Sequence, residues 1–186
     1  MTDLIVVALE SEVPELIHKY SNIHTIGVGK VNSAINLLKL IHQYNPTRII
    51  NLGTAGGITV SHGIHRINKV WQHDVNLIAL GLQPGEQLHD RVNIFIDIPG
   101  PGLVCASGDM FITEPEKLRL PCDIVDMESY SVARVAKTQG LDVEIWKYIS
   151  DSANESAGSD WQESVHTGEE YYIDVLQQLS AQLENK

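Results

Sequence analysis

The sequence has few cysteines and few basic residues, and these shortages exclude several classes of protein. Its 186 residues include two Cys, and 13 Lys and Arg stand against 24 Asp and Glu, which gives a formal net charge of -11 with His neutral. So acidic a chain is a poor partner for a nucleic-acid backbone or an anionic membrane surface. Cys105 and Cys122 each lie within an apolar run. We therefore predict buried thiols in a reducing compartment rather than a disulfide or a zinc site.

Long apolar runs and a basic leader are absent as well. No apolar stretch approaches the roughly 20 residues of a membrane-spanning helix. The chain opens with Met1-Thr2-Asp3, without the basic segment of a secretory signal. The cytoplasm is therefore the predicted location. Hydrophobic residues make up 43% of the chain, which is enough for one domain with a substantial core, and we predict a single domain over residues 1–186.

Short runs of β-branched and other apolar residues alternate with segments of helical periodicity. The predicted strands are Leu4–Leu9, His24–Val28, Arg48–Leu52, Gly63–Trp71, Asn76–Leu80, Leu103–Ala106, Cys122–Val125 and Val143–Ser150. The predicted helices are Glu15–Tyr20, Ser33–Tyr44, Ser129–Thr138 and a last helix from Ser159 to about Leu183, with polar loops over 84–91 and 152–160. This alternation predicts an α/β domain with a mostly parallel sheet.

Two acidic residues follow predicted strands at the point where each strand ends. Glu128 comes just after one strand and Asp151 ends another. Ligands of open α/β sheets bind outside the carboxyl ends of the strands, so we expect these two side chains to share a polar site. Acids are also favoured at helix starts, and we interpret Asp126 in that way. Glu12, before the first helix, has the same explanation when its own segment is considered alone.

Two glycine-rich segments indicate a close approach of the backbone to another group. Gly27–Asn32 contains GxG but not the full GxGxxG pattern, which excludes a classical dinucleotide site. The glycines of Gly53–Gly57 predict a tight turn. This turn either offers backbone N–H groups and the Thr54 hydroxyl to a ligand or needs glycine only because its backbone is left-handed. It lacks the Lys of a phosphate-binding loop. His73 and Asp74 are too few for a metal site, and we expect surface hydrogen bonds from them.

Six segments in a fixed order resemble the purine nucleoside phosphorylase/nucleosidase superfamily, and most closely the 5'-methylthioadenosine/S-adenosylhomocysteine nucleosidases. The segments are Ala8–Val13, Gly27–Asn32, Asn51–Gly57, Ser107–Ile112, Val125–Glu128 and Ile149–Asp151. The resemblance implies a three-layer α/β/α domain with a mixed, mostly parallel twisted central sheet. It also implies a homodimer that acts on a small purine nucleoside, with neither a metal nor an organic cofactor.

The resemblance implies catalytic roles for three acidic residues. Glu12 would hold and activate the attacking water with help from Thr54, where the family usually has Ser. Glu128 would bind the ribose hydroxyls. Asp151, assisted by Ser150, would donate a proton to N7 of the purine. These residue types suit the reaction, because an oxocarbenium-like sugar is stabilised by a carboxylate and a purine leaves well only when it is protonated.

Five further residues would complete the site in the same way. Phe111 would stack on the purine, the Ile112 backbone would bind its edge, and Met127 would contact the ribose. Trp161 would line the pocket for the 5'-substituent. Lys147 falls near the nucleophile, where the family usually has Arg, and the two residues are not interchangeable.

The first loop of the chain distinguishes water from phosphate as the nucleophile. Phosphorylases of the superfamily carry an Arg there, whereas this chain has Glu10-Ser11-Glu12, which would repel phosphate. The favoured hypothesis is an N-ribosyl hydrolase that cleaves a purine nucleoside, with adenine as the favoured base and a 5'-thio substituent on the sugar, into the free base and the sugar. The alternatives are a phosphorylase, a nucleosidase for a futalosine-like nucleoside and a non-catalytic purine-binding protein. The chain also departs from the family in having Asp126 for the usual Glu, and in being shorter before Gly27 and between Gly57 and Ser107.

Overall fold

A computed structural model of the chain describes residues 2–88 and 94–184. Its strands are β1 Asp3–Val7, β2 Ile23–Thr25, β3 Arg48–Gly57, β4 Ile64–Gln72, β5 Ile96–Asp97, β6 Leu103–Ser107, β7 Ile124–Asp126 and β8 Asp142–Asp151. Its helices are α1 Leu16–Lys19, α2 Lys30–Tyr44, α3 Ser129–Gln139, α4 Ala157–Ser164 and α5 Glu169–Glu184. Short 3₁₀ turns occur at Glu10–Glu12, Ile78–Leu80 and Pro115–Lys117.

The central strand is β3, and the sheet closes on itself around it. β3 pairs in parallel with β1 and β8, and its last two residues, Gly56 and Gly57, pair antiparallel with β7. β8 pairs antiparallel with β4, which pairs in parallel with β6, and β6 pairs in parallel with β7. The strands β3, β8, β4, β6 and β7 therefore form a closed circuit, which we call the strand ring. β1 and β2 extend the sheet from β3, and β5 adds to β4.

Helices cover both faces of this mixed sheet, as predicted. Apolar residues of α2 and α3, including Leu37 and Val132, pack with Leu4 and Ile49 of the sheet. On the opposite face α5 buries a stripe of apolar residues, among them Tyr172, against β1 and β3. Other apolar side chains of the strand ring and of α3 form a third cluster, and Trp71, Ala106 and Val125 of the strand ring belong to a fourth. The α/β/α layering thus follows from two amphipathic helical faces and strands buried on both sides.

The segment Gly53–Gly57 is a strand, so the predicted turn is wrong. Each of its residues belongs to β3, and none of its glycines has a positive φ. The glycines are instead explained by side chains that press against the strand. A Cβ atom at Gly53 would lie 3.1 Å from Glu12 Oε1, and one at Gly56 would lie 2.8 Å from Asp151 Oδ1. The expected close approach is therefore real, but the approaching groups belong to the protein itself.

Three other predictions of secondary structure also need correction. The predicted strand Asn76–Leu80 forms only a 3₁₀ turn, with Ile78 and Leu80 exposed. The predicted C-terminal helix is two helices, and α4 begins at Ala157, within the predicted loop. The break between them contains Gly168, whose backbone lies against the buried Tyr172 ring and leaves no room for a side chain. The two-residue β5 was not predicted.

Several local predictions are confirmed. Gly140 ends α3 in the left-handed conformation with a φ of 67°. Cys105 and Cys122 are free, buried thiols. Of the predicted loop over residues 84–91, positions 89–91 lie outside the described residues. Within residues 2–88 and 94–184, no helix has the length and apolar character needed to cross a bilayer.

Candidate functional site

The ends of β3, β7 and β8 surround a cavity of about 320 Å³. Its lining is mostly apolar, with additional residues from α4 and from the segment after β6. Nine of the ten site residues predicted from the sequence line it, namely Glu12, Thr54, Phe111, Ile112, Met127, Glu128, Ser150, Asp151 and Trp161. The tenth, Lys147, lies beneath the cavity floor and is 1% exposed. Segments far apart in the sequence thus converge on one space.

Glu12 is held by four hydrogen-bond donors at one edge of the cavity. It lies in the 3₁₀ turn after β1, and it is buried. Its Oε2 accepts hydrogen bonds from the backbone N–H groups of Ala8 and Leu9, at 2.9 and 3.0 Å. Its Oε1 accepts from the Thr54 backbone N–H at 2.8 Å and from the Thr54 hydroxyl at 3.1 Å. The Trp161 indole N–H in turn donates to that hydroxyl at 3.0 Å. Three backbone donors and one side chain therefore fix the carboxylate.

Lys147 is a buried cation among three carboxylates. Its Nζ lies 2.9 Å from Asp126 Oδ2, and Glu12 and Glu128 also interact with its charge. Burial alone would lower the pKa of Lys147, but the three carboxylates together raise it above its ordinary value. A Cβ atom at Gly53 would lie 3.1 Å from both Lys147 Nζ and Glu12 Oε1, so any larger residue would press on both charged groups.

Asp126 joins this charge cluster to the start of α3. Its carboxylate accepts hydrogen bonds from the Ser129 backbone N–H at 3.0 Å and from the Ser129 hydroxyl at 2.6 Å. It also accepts from the Ser107 hydroxyl. Although burial opposes ionisation, Lys147 and these hydroxyl groups hold the pKa of Asp126 below its ordinary value. The predicted helix-start role is therefore present, with a buried ion pair added to it.

Glu128 also lines the cavity, and one backbone donor holds it. The N–H of Gly29, which has a φ of +86° at the start of α2, donates to Glu128 Oε1 at 2.9 Å. Burial raises the pKa of Glu128 to about 7, and the charge of Asp126 adds to this, while Lys147 and the Gly29 N–H act in the opposite direction. The glycine segment before α2 thus brings its backbone to a cavity carboxyl group.

The raised pKa of Glu128 predicts a pH-dependent stability. A carboxyl group whose pKa rises from 4.5 to about 7 on folding stabilises the fold most at low pH and loses this contribution as the pH rises through 7. The shift corresponds to roughly 3 kcal/mol. Between pH 4.5 and 8, we expect the free energy of unfolding of the wild type to fall by about that amount relative to Glu128→Gln. Urea denaturation over this range measures it, and a difference that stays constant with pH would contradict the assignment.

A β-bulge aims two neighbouring side chains of β8 into the cavity. Ile149 pairs with Ala55, whereas Asp151 pairs with Gly56, so Ser150 is an extra residue in the strand. The Ser150 hydroxyl donates to Asp151 Oδ2 at 2.9 Å, and the Ala153 N–H donates to Oδ1 at 2.9 Å. Burial nonetheless raises the pKa of Asp151 above its ordinary value. The bulge therefore places Asp151, a carboxyl group with a raised pKa, at the cavity wall.

A ring of three hydrogen bonds secures the segment that carries Met110 and Phe111 at the cavity mouth. The Lys30 backbone N–H donates to Asp109 Oδ1 at 2.7 Å, and the Asp109 N–H donates to Asp74 Oδ2 at 2.9 Å. Lys30 Nζ closes the ring on Asp74 Oδ1 at 2.5 Å. Asp74 thus forms hydrogen bonds as expected, and as a partly buried carboxylate it also ties three chain segments together.

Among the cavity-lining residues that sequence reasoning did not place in the site are Leu9, Val28, Met110 and Gln162. The first three lie within the matched segments, so their position next to recognised residues was the available signal. Gln162 follows Trp161 on α4 and gave no signal of its own. Within the described part of the chain, no group of three or more His, Cys, Asp or Glu side chains is arranged to hold a metal ion.

Comparison with known proteins finds one superfamily that part of the chain resembles. A model of the phosphorylase superfamily matches residues 17–77. A 5'-methylthioadenosine/S-adenosylhomocysteine nucleosidase from Shewanella sp. strain MR-7 is 29% identical, over an alignment that covers 73% of this chain and 68% of that protein. Another, from Lysinibacillus sphaericus, is 25% identical, with 84% and 79% covered.

Solved structures share the fold over almost the whole chain. A futalosine hydrolase mutant from Helicobacter pylori has a TM-score of 0.87 at 19% identity, covering 98% of this chain and 100% of that one. A Helicobacter pylori nucleosidase mutant with 5'-methylthioadenosine in its active site has a TM-score of 0.83 at 21% identity, covering 95% and 98%. The chain thus has the layered fold of these proteins, and over residues 17–77 its sequence resembles the phosphorylase superfamily.

Proposed function

We propose that this protein is an N-ribosyl hydrolase that cleaves a purine nucleoside into the free base and the sugar. The observation that carries this proposal is the set of acids in one cavity, since Glu12, Glu128 and Asp151 line it together with the ion-paired Asp126, and none of the Lys and Arg residues that the structure describes does. Breaking an N-glycosidic bond requires a proton for the base, stabilisation of the sugar cation and a positioned nucleophile. Each of the first three acids has the surroundings suited to one of these tasks.

Asp151 is the proposed acid at the base. Its raised pKa favours the protonated form that a general acid needs, and Ser150 orients the carboxyl group through a 2.9 Å hydrogen bond. We assign its proton to N7 of the purine. Phe111, half exposed at the cavity mouth, offers a ring face to the flat base, and the backbone of Ile112 lies beside it along the lining.

Glu128 and Glu12 are the proposed partners of the sugar. Glu128, with Met127 next to it, would bind the ribose hydroxyls and stabilise the positive charge that develops on the ring. Glu12 would hold the water that attacks the anomeric carbon, because its carboxylate is fixed at the cavity edge by Thr54 and the turn after β1. Lys147 would support both carboxylates from below through its charge.

Water is favoured over phosphate as the nucleophile. A phosphate dianion needs cationic or N–H donors to balance its charge. Among the described residues, the cavity lining supplies carboxylates but no basic side chain, and the one nearby cation, Lys147, is already paired with Asp126. A phosphate placed beside Glu12 and Glu128 would be repelled.

The apolar part of the lining supports a substrate with an uncharged 5'-tail. Leu9, Val28, Met110 and Trp161 contribute apolar surface to the cavity. We therefore propose a 5'-thio-substituted adenine nucleoside, which is what the names of the curated relatives describe for those proteins. A futalosine-like nucleoside is the second candidate, because a futalosine hydrolase mutant shares the fold with a TM-score of 0.87.

The proposal is tested by base release from 5'-methylthioadenosine, S-adenosylhomocysteine, adenosine, inosine and futalosine, with and without phosphate. We expect phosphate-independent release of adenine, fastest from 5'-methylthioadenosine. Release that requires phosphate would make the protein a phosphorylase. Release from futalosine alone would replace the proposed substrate. Binding of these nucleosides in calorimetry without any release would show a non-catalytic purine-binding protein.

We also propose that residues 1–186 act as one domain, in the cytoplasm, as a homodimer. A single domain is supported by the pairing of β3 with β1, from the start of the chain, and with β8, near its end. The dimer is supported by apolar exposure near the cavity mouth, where Val31 and Ile35 on one face of α2 are 66% and 50% exposed. Sedimentation velocity at micromolar concentration tests the dimer, and a monomer would refute it.

A further inference from the structure

We propose that Trp161 is a positioning residue for Glu12 and acts through the Thr54 hydroxyl, in addition to forming a cavity wall. This inference rests on the proposed function, because it assigns Trp161 to the half of the reaction that activates water. The contacts that carry it form a chain of two hydrogen bonds, from the indole N–H to Thr54 Oγ1 at 3.0 Å and from that hydroxyl to Glu12 Oε1 at 3.1 Å.

The chemistry of the three groups fixes the direction of this chain. An indole N–H can only donate, whereas a hydroxyl donates one hydrogen bond and accepts through two lone pairs. Thr54 Oγ1 must therefore accept from Trp161, and its own proton is free for the oxygen of Glu12. Without the indole N–H, the hydroxyl would have no donor holding it in this orientation. Trp161 thus favours the orientation of the Thr54 hydroxyl in which that hydroxyl donates to Glu12.

The Thr54 hydroxyl is also the only rotatable donor to Glu12 among its four hydrogen bonds. The other three come from the backbone N–H groups of Ala8, Leu9 and Thr54, which the fold holds in place. When the attacking water forms its bond to the anomeric carbon, its O–H bond breaks and Glu12 receives the proton. A proton on Oε1 requires the Thr54 hydroxyl to turn and accept. Its second lone pair can do so while the first keeps the bond to Trp161.

The position of Trp161 in the fold explains why its indole N–H can orient the Thr54 hydroxyl. It lies on α4, outside the strand ring, yet it lines the cavity beside Thr54. The same helix is anchored to β8, because the Ser164 hydroxyl donates to the Ser150 carbonyl oxygen at 2.7 Å. This anchor fixes the position of the Trp161 ring at the cavity, where its N–H can donate to the Thr54 hydroxyl.

The decisive variant is Trp161→Phe, which keeps an apolar ring and removes the N–H donor. On 5'-methylthioadenosine we expect kcat to fall about 5- to 10-fold, the effect of losing one hydrogen bond, with KM within about twofold of the wild type. In a Thr54→Val background, where no hydroxyl remains to be oriented, the same change should alter kcat less than about twofold. In a Thr54→Ser background, which restores a hydroxyl, the 5- to 10-fold effect should return.

Two results would overturn this role. A change in KM alone would leave Trp161 as a cavity wall, and an equal fall of kcat in the Thr54→Val background would show that the indole acts without Thr54. A readout independent of activity is the indole N–H signal in proton–nitrogen NMR, assigned by its loss in Trp161→Phe. Its exchange with solvent should be at least tenfold faster in Thr54→Val. Unchanged exchange would refute the hydrogen bond itself, whereas a wild type without base release would refute only the proposed function.

Discussion

Asp151→Asn is expected to lower kcat for base release by about 1000-fold while the protein stays folded. Asparagine has the same shape as aspartic acid but holds no acidic proton, and loss of a positioned general acid costs on the order of 10² to 10⁴ in rate. The fold should tolerate the change, because the side-chain oxygen can still accept from the Ala153 N–H and the Ser150 hydroxyl can turn to accept from the new amide. Single-turnover kinetics with 5'-methylthioadenosine and thermal denaturation measure the two effects.

A matched control for this variant is Asp160→Asn. Asp160 lies nearby on α4, where it accepts a hydrogen bond from the Ser156 hydroxyl at 2.7 Å, and its charge contributes to the raised pKa of Asp151. It does not line the cavity, so we expect kcat within about threefold of the wild type, since the effect of its charge is small next to loss of a general acid. Full activity of Asp151→Asn would remove Asp151 from the mechanism.

Lys147→Met is expected to destabilise the fold by about 3–5 kcal/mol, since removal of one member of a buried ion pair leaves an uncompensated charge. Methionine matches the length of the lysine stem but leaves Asp126 buried without its cation, 2.9 Å from the former Nζ. Two more carboxylates, Glu12 and Glu128, would then repel each other and Asp126 without screening. Urea denaturation at pH 7.5 measures the change in the free energy of unfolding.

Two comparisons separate charge from packing in this result. Lys69→Met removes an exposed pair with Asp97 and should cost less than about 1 kcal/mol. The double variant Lys147→Met/Asp126→Asn removes both buried charges and should recover part of the stability lost in Lys147→Met alone. If the double variant is less stable than the single one, the loss comes from packing and hydrogen bonding rather than from the unpaired charge.

The elements that could be predicted are those whose own residues determine them. The strand β1 is a nearly continuous apolar run, β8 is rich in β-branched and aromatic residues, and the end of α3 follows from Gly140, so local pattern was enough. Eight of the nine predicted cavity residues lie in the matched segments, and Trp161 lies beyond them, so the resemblance rather than periodicity was the main signal. The strand character of Gly53–Gly57 could not be predicted, because its glycines are required by Glu12 and Asp151, which are distant in the sequence.

The same limit applies to the depth of Lys147 and to the break between α4 and α5. A lysine in a strand is ordinarily exposed, and only the convergence of Asp126, Glu12 and Glu128 explains a buried one. The helix break depends on Gly168 fitting against Tyr172, a tertiary contact that amphipathic spacing does not encode. In each case a long-range contact overrode the local signal.

The strand ring has a consequence for how such a site can change during evolution. Each of its five strands has a neighbour on both sides, so Asp151 and the Thr54 backbone are carried by a closed frame with no free edge to fray or shift. Trp161 and Phe111 lie outside that frame, on a helix and on a loop. In the mechanism that we propose, substitutions at Phe111 could reshape the space for a substrate without displacing this frame, whereas substitutions at Trp161 would also act on Glu12 through Thr54. The architecture thus places a rigid frame for the proposed chemical step beside a more adaptable cavity mouth.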